Sequence, residues 1–494
     1  MFQMSFKSHS QMLRALWFLA VAAGCLFAFK TLAAIPLTSL WNDELRTVEK
    51  SFQPSLGFLY GYLRRDVHPP LYYFLLWGAG KLFGETVIVL RSFSWICYLL
   101  GAGSLALACW AWGRSQVAVA VAALLALALP FTVRFAVEGK AYALVCGLLS
   151  LAVLFRVRLI RGDSTAALPY GLFWSAAALT HYYGVGLLLC QAALDVWRRR
   201  PTVRPLAWAL LLPTLWMLAN LSYLLGSGGR AWISPASPLL LLKVLRIALG
   251  AHWPVVLLAC GVLALLFWRQ PTSRLEAASV LVKDWGVDAG LLLLVGTFAV
   301  SLLKPSAVDR YYIVLVPAFI GAFSCWLGLQ VQASGVGSWR RGLVAAMFAA
   351  ILVLFWHDSY RAIAPLARMD GHRKGNDFRS LALMAAYSPH KYSPQCRQLN
   401  AYDHLLVQEN LSRPLAPWAC MPLLGRVVDP AFADQFPRLP GELVALAVTG
   451  RRTSAETVLG PFRQALESQG FECGLDQQST PSASLFNCRF RDRR

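Results

Sequence analysis

The chain has 494 residues, of which 57% are hydrophobic and only 14% charged, against about 25% charged in an average soluble domain. Its net charge is +21, from 46 Lys and Arg against 25 Asp and Glu. In a soluble protein that balance suggests nucleic acid, but apolar runs such as Val117–Leu129 and Leu343–Trp356 belong in lipid or in a dry helical bundle. Disorder, a secreted disulfide scaffold and a soluble nucleic-acid binder are thereby excluded, which leaves a polytopic membrane protein with something soluble attached.

The first apolar run, Leu13–Ile35, follows a short basic start at Lys7 and Arg14 and is too long for a signal-peptide core. It reads as an uncleaved helix with its N-terminus inside. An amphipathic first outer loop follows over 36–86, within which Leu71–Phe83 reads as an interfacial helix. Further apolar runs near 87–112, 115–133, 141–160, 165–180, 183–197, 206–226, 252–268, 289–303, 311–330 and 342–357 predict about 11 spans, several of them short or tilted. The last run ends at His357. Beyond it, Gly371–Ala385 looks like a charged helical start and Leu443–Thr449 like a buried strand. The expected architecture is an all-α polytopic membrane domain over 1–357, followed by a small mixed α/β soluble domain over 358–494.

Charge is unevenly spread. Residues 358–494 hold 17 basic and 13 acidic side chains, and residues 1–357 hold 29 and 12. Most of the membrane-part excess is ordinary flanking of helices; the remainder favours an anionic partner at the bilayer surface. Arg156, Arg158 and Arg161 cluster in one short connection, Arg198, Arg199, Arg200 and Arg204 in another, and Arg340 with Arg341 flanks a third. All three lie inside if 87–112 is the second span, which puts the tail outside a cytoplasmic membrane. Seven of the 11 cysteines lie in or near apolar runs, as small buried hydrophobes do. The other four, Cys396, Cys420, Cys473 and Cys488, fall in the tail, where an oxidising compartment would allow two disulfides in any of three pairings. None has the spacing of a zinc ligand set.

With this topology seven of the twelve carboxylates of the membrane part face outward: Asp43, Glu44, Glu49, Asp66, Glu85, Glu138 and Asp309. Acids at or in the membrane are costly and so are functional candidates. Asp43-Glu44 follows the first span closely, where one carboxylate could serve as a general base. In Asp66-Val67-His68-Pro69-Pro70-Leu71-Tyr72-Tyr73 the prolines fix the backbone and suit a helix start, whose N–H groups would favour a phosphate that His68 could also donate to. Arg134 to Tyr142 places Arg134, Glu138 and Lys140 in one short outer turn. His181-Tyr182-Tyr183-Gly184 interrupts two apolar runs, as backbone lining a cavity does. Asp309-Arg310-Tyr311-Tyr312 opens another span with a cation suited to bidentate phosphate binding. Each cluster alone reads as an interfacial ion pair or aromatic anchor. Four converging on one face make that reading harder to hold.

The order Asp43-Glu44, then Asp66-x-His68-Pro69-Pro70-Leu71, resembles the GT-C superfamily of membrane glycosyltransferases, above all the glycosyltransferase 39 group with its protein O-mannosyltransferases, and also the bacterial aminoarabinose lipid A transferases. Arg91, Glu138-Gly139-Lys140-Ala141-Tyr142 and Arg310-Tyr311 resemble elements of bacterial members. The likeness spans roughly residues 10–330; the tail resembles neither the β-trefoil insert of eukaryotic mannosyltransferases nor another known tail. The resemblance implies a polyprenyl-phosphate-sugar donor and an inverting transfer on the outer face. Asp43 would be the catalytic base and Glu44 its assistant, with His68, Arg310 and Lys140 at the donor phosphate. Asp66, Tyr72, Glu138, Tyr142, His181, Tyr182 and Tyr311, in or beside these motifs, would line the substrates. A lipid phosphate is already a fair leaving group, so no cofactor is required, although a divalent metal stays open. The acceptor could be a glycolipid, another glycan or a protein. A secondary transporter should carry its charges in mid-helix, whereas these lie at span ends. A scaffold gives no reason for the order of the motifs. A lipid-linked glycan ligase or polymerase stays open within the same class.

Overall fold

The computed structural model describes residues 3–35, 42–226, 233, 235–268, 273–332, 338–367, 443–449, 463–475 and 483–491. The chain forms two compact units, one of Met1–Leu32, Pro54–Leu76 and Arg91–Ala362, the other of Ala33–Gln53, Trp77–Leu90 and Ile363–Arg494. In chain order the helices are α1 (Gln3–Ala34), α2 (Asn42–Ser51), α3 (Leu56–Leu63), α4 (Leu71–Phe83), α5 (Val87–Gly113), α6 (Gln116–Ala128), α7 (Pro130–Ala136), α8 (Tyr142–Ile160), α9 (Ala167–Ala178), α10 (Tyr182–Trp197), α11 (Val203–Ala209), α12 (Leu211–Ala219), α13 (Leu221–Gly226), α14 (Pro238–Leu249), α15 (Trp253–Trp268), α16 (Ser273–Trp285), α17 (Val287–Leu303), α18 (Val316–Gln332) and α19 (Ser338–Ala367).

The protein is a multi-pass membrane protein. Four stretches, Val87–Gly113, Tyr142–Ile160, Asp309–Gln332 and Trp339–Ser359, are long and apolar enough to cross a bilayer, or seven among the described residues if each of three bent helix pairs is one span. The expectation was about 11 spans, several of them short or tilted; these lengths do not settle that number, and several of the apolar runs are broken. Pro130 has no N–H and cannot continue α6, so α6 and α7 meet at 56°. Gly286, at φ +74°, turns α16 into α17 at 71°. The run 206–226 becomes α11, α12 and α13. Pro213 leaves the Ala209 carbonyl without its helical donor, and the Asn220 amide donates to the Trp216 carbonyl at 2.8 Å, competing with the backbone. Before α18, Asp309–Leu315 is a 3-10 turn, where Pro317 denies the Ile313 carbonyl its helical partner.

Within the first unit, polar side chains tie helix ends together at the opposite ends of α8 and α10 from Tyr142 and Tyr182. Arg156 of α8 is 1% exposed. It donates to both Asp195 oxygens on α10 at 2.5 and 2.9 Å, to the Tyr170 hydroxyl of α9 at 3.1 Å and to the backbone carbonyls of Lys283 and Asp284 on α16. Asp195 also accepts from Gln191 and Thr202. Arg200 pairs with Asp284 at 2.8 Å, and Arg198 with Asp288. Arg156 is therefore no loop charge marking the inner surface, as its place among clustered arginines suggested; it is the buried cation of a five-residue network. Close packing continues along α18, where a side chain at Gly321 would strike the Trp285 ring.

In the second unit, Trp77 donates to the Gln53 carbonyl at 2.9 Å. The tail contributes an antiparallel sheet of β1 (Leu443–Thr449), β2 (Phe471–Leu475) and β3 (Ala483–Phe490) in the order β1-β3-β2, with a short helix over 463–468. Cys473 and Cys488 face each other in the β2–β3 register and form a disulfide. The expected strand at Leu443–Thr449 is present. The expected helix at Gly371–Ala385, Cys396 and Cys420 lie outside the described residues.

Removing one partner of a buried, fully bonded ion pair leaves an uncompensated charge and costs about 3–5 kcal/mol. Asp195→Ala should therefore lower the thermal midpoint of the detergent-solubilised protein sharply, while Arg158→Ala, at a part-exposed pair that leaves the Asp163 cap in place, should barely move it.

Candidate active site

The first unit gathers most of the motif residues. Pro69 and Pro70 lead into α4, which starts at Leu71 as the sequence suggests. The Leu71 N–H, however, donates to the Leu179 carbonyl at 3.0 Å. That corrects the expectation that the helix start offers its N–H groups to a phosphate: two of them are absent in proline and this one is consumed in joining α4 to the α9–α10 junction. His68 lies just before it, with Nδ1 3.0 Å from Asp66 Oδ1, which also accepts from the Val67 N–H at 2.7 Å. A nearly buried carboxylate thus orients a half-exposed imidazole, leaving Nε2 to face other groups. Tyr73 packs edge-on to His68, and Tyr72, 1% exposed, packs against Tyr73 and Phe93.

His181 caps α10. Its Nδ1 accepts from the Tyr183 N–H at 3.1 Å, so the ring proton sits on Nε2 and the imidazole is neutral. Burial pushes its pKa from 6.5 down to about 3, and the positive charges of His68, Arg310 and Lys140 push in the same direction. Lys140 and Arg310, and His68 when protonated, therefore act on one ring from three separate segments. Around it stand aromatic rings: Tyr311 at 4.9 Å, Tyr142 at 5.8 Å and Tyr183 at 5.8 Å from His181, with Tyr183 also 5.2 Å from Tyr311. Tyr183 is held by its hydroxyl on the Ser306 carbonyl at 3.2 Å.

Lys140 and Glu138 lie in the tight turn between α7 and α8, where the Lys140 N–H donates to the Glu138 carbonyl at 2.7 Å. Glu138 is fully buried and Lys140 8% exposed, so neither is an ordinary surface charge. Arg310 opens the 3-10 turn with its N–H on Asp309 Oδ1 at 2.8 Å, and its guanidinium lies over Tyr311. The sequence motifs at 66–73, 138–142, 181–183 and 309–312 thus meet. Tyr182, singled out from sequence, is half-buried, while the ring in the aromatic group is its neighbour Tyr183. That neighbour was legible only as the second residue after an N-capping histidine. Tyr73 was likewise visible in sequence but not distinguishable from Tyr72.

Asp43 and Glu44 belong to the second unit and stand in the first turn of α2, where the helix dipole favours carboxylates. Asp43 is half-buried and its carbonyl accepts from Thr47 Oγ1 at 3.0 Å. Glu44 is fully buried. On the opposite side of the turn Arg46 pairs with Glu49 at 3.2 Å. Adjacent acids on a helix point about 100° apart, so Asp43 and Glu44 serve different surroundings.

No family model and no curated protein sequence matches the chain. Among solved structures it is similar to ArnT from Cupriavidus metallidurans in the apo state, at 15% identity and TM-score 0.56, and to the same protein bound to undecaprenyl phosphate, at 13% identity and TM-score 0.57; each comparison covers 96% of this chain and 98% of the other. It is also similar to the oligosaccharyltransferase AglB from Archaeoglobus fulgidus, at 10% identity and TM-score 0.46, over 96% of this chain and 74% of the other. The chain has the fold of that ArnT protein. Within that fold the likeness to ArnT extends over nearly the whole length of both chains.

The neutral state of His181 carries a stability consequence. The native ring stays unprotonated down to about pH 3, whereas the unfolded one takes a proton near 6.5. Its contribution is complete above pH 6.5 and is lost progressively as pH falls towards 3, because the unfolded state then binds more protons. His181→Asn keeps a capping side chain and should flatten this part of the profile of thermal midpoint against pH. Identical acid slopes in the two proteins would contradict the assignment.

Proposed function

We propose that the chain is an integral membrane glycosyltransferase that moves a sugar from a polyprenyl-phosphate donor to an acceptor at the outer face of a cytoplasmic membrane, with inversion at the anomeric carbon. The observation that carries this reading is the convergence of His68, Lys140 and Arg310 on His181 beside an aromatic wall. A site with three cations, a neutral N–H donor and stacked rings suits a phosphate joined to a sugar. The likeness to ArnT, one of whose structures holds undecaprenyl phosphate, supports a lipid-linked phosphate for this fold. The Cys473–Cys488 disulfide supports an outward tail in an oxidising compartment.

In this reaction an acceptor hydroxyl or amine attacks the anomeric carbon. Asp43 takes the acceptor proton, and Glu44 assists it or holds the acceptor. The bond from the anomeric carbon to the phosphate oxygen breaks, and the lipid phosphate leaves with the electron pair. Arg310, Lys140 and His68 meet the charge that grows on the departing oxygen, which lowers the barrier only if they are already in place. Asp66 orients His68, while Glu138 sets the charge around Lys140. Tyr72, Tyr142, Tyr182 and Tyr311 line the substrates. The lipid phosphate is already a fair leaving group, so this chemistry needs no cofactor. The acceptor class, whether glycolipid, glycan or protein, follows from comparing surface molecules by mass with and without the gene.

Complementation of such a deletion tests the roles. Asp43→Asn should reach the membrane at normal levels yet lose transfer by about 10²–10⁴-fold, as removal of a general base does; full activity would sink the assignment. Arg310→Ala should raise KM for the lipid-linked donor and leave acceptor KM nearly unchanged, measured in proteoliposomes. Unchanged donor kinetics would remove Arg310 from the phosphate site.

A further inference from the structure

A second group of metal-ligating side chains lies outside the site just described. The chain turns by 82° between α14 and α15. Gly250, at φ +84°, ends α14, and a side chain there would strike the Asp358 carboxylate. His252 sits at this corner. His357 and Asp358 come from α19, over a hundred residues later. We infer that His252, His357 and Asp358 bind one divalent transition-metal ion of the zinc type, which fastens α19 to the α14–α15 corner.

Asp358 is 5% exposed, and burying a carboxylate needs compensation. Its Oδ1 lies 2.8 Å from His252 Nδ1 and 3.9 Å from His357 Nδ1. The two imidazoles are 5.4 Å apart, and one ligand atom from each residue lies within 4.8 Å of the others. Metal–ligand bonds of about 2.0–2.1 Å hold neighbouring ligand atoms roughly 3.3 Å apart in a tetrahedron, a value that the two Nδ1 to Oδ1 distances bracket. A hydrogen bond between His252 and Asp358 accounts for two of the residues; coordination accounts for all three. The His252 backbone N–H donates to Asp358 Oδ2 at 3.1 Å, fixing the carboxylate as supporting hydrogen bonds do in metal sites. Both imidazoles are part-exposed, so an ion has a path in and a water can complete the shell. Two imidazoles and a carboxylate form the donor set of a three-ligand zinc site. Lys30 donates to the Trp356 carbonyl at 2.8 Å and to Ser359 Oγ at 3.0 Å on the same turn of α19.

The inference is independent of the glycosyltransferase reading, and its test does not use activity. Tag-free protein in detergent is stripped with a chelator and titrated with zinc, with bound metal read by atomic emission and the ligands by X-ray absorption. The wild type should take up one zinc per chain on two imidazole nitrogens and oxygen, and zinc should raise its thermal midpoint. The His252→Ala/His357→Ala double variant, and Asp358→Asn with its near-identical shape, should each bind about tenfold more weakly or worse, without the thermal shift. Absence of stoichiometric zinc from the wild type, a spectrum without two imidazoles, or equal binding by folded variants would each overturn the site. If the variants do not fold, the wild-type stoichiometry and spectrum decide alone.

Discussion

A charge taken out of water must be met on every side, and Arg156 with Asp195 obeys that constraint at the centre of the first unit. Three further side chains, Tyr170, Gln191 and Thr202, and two backbone carbonyls close around the pair. Satisfying it leaves little freedom in how α8, α9, α10 and α16 slide past one another. From Arg156 back to Tyr142 α8 rises about 21 Å, and from Asp195 back to Tyr182 α10 rises about 20 Å. Two helices pinned at one end and matched in length bring Tyr142 and His181 to the same level at the other, where their rings meet. The ion pair thus sets the register of the candidate site from a distance, without touching it.

At that site the polar groups have divided labours. His68 is partnered by a carboxylate and half open to solvent; His181 is capped, enclosed and neutral. One imidazole is placed to carry charge and the other only to donate a hydrogen bond. Cations clustered in a low-dielectric setting repel one another, and a protonated His181 would add to that repulsion. Keeping it neutral spares the surroundings of Arg310, Lys140 and His68 a further positive charge.

Much of this was legible in the residue order. Apolar runs located α5, α8, α9, α10, α15 and α17 to within a few residues, since a membrane helix needs a long apolar stretch, but gave no sign of α14 or α16. The His68-Pro69-Pro70 start of α4 and the His181 interruption were visible because proline and a capping side chain act locally. What escaped was non-local. Arg156 looks like its neighbours Arg158 and Arg161 in sequence, and only the fold brings Asp195 to it. The metal-type group of His252, His357 and Asp358 has no spacing to recognise, because its members are joined by packing and not by a motif. The breaks at Pro213 and Asn220 were written in the chain, but hydropathy averages over them.

The order of strands in the tail bears on how the protein is made. The central strand β3 follows both of its partners in the chain. While β1 and β2 are already synthesised, neither has a neighbour to pair with until β3 leaves the ribosome and crosses to join them. The cysteine on β2 must likewise wait for Cys488. Among the described strands, the sheet therefore closes only when the last of the three has been made, after every helix before it in the chain.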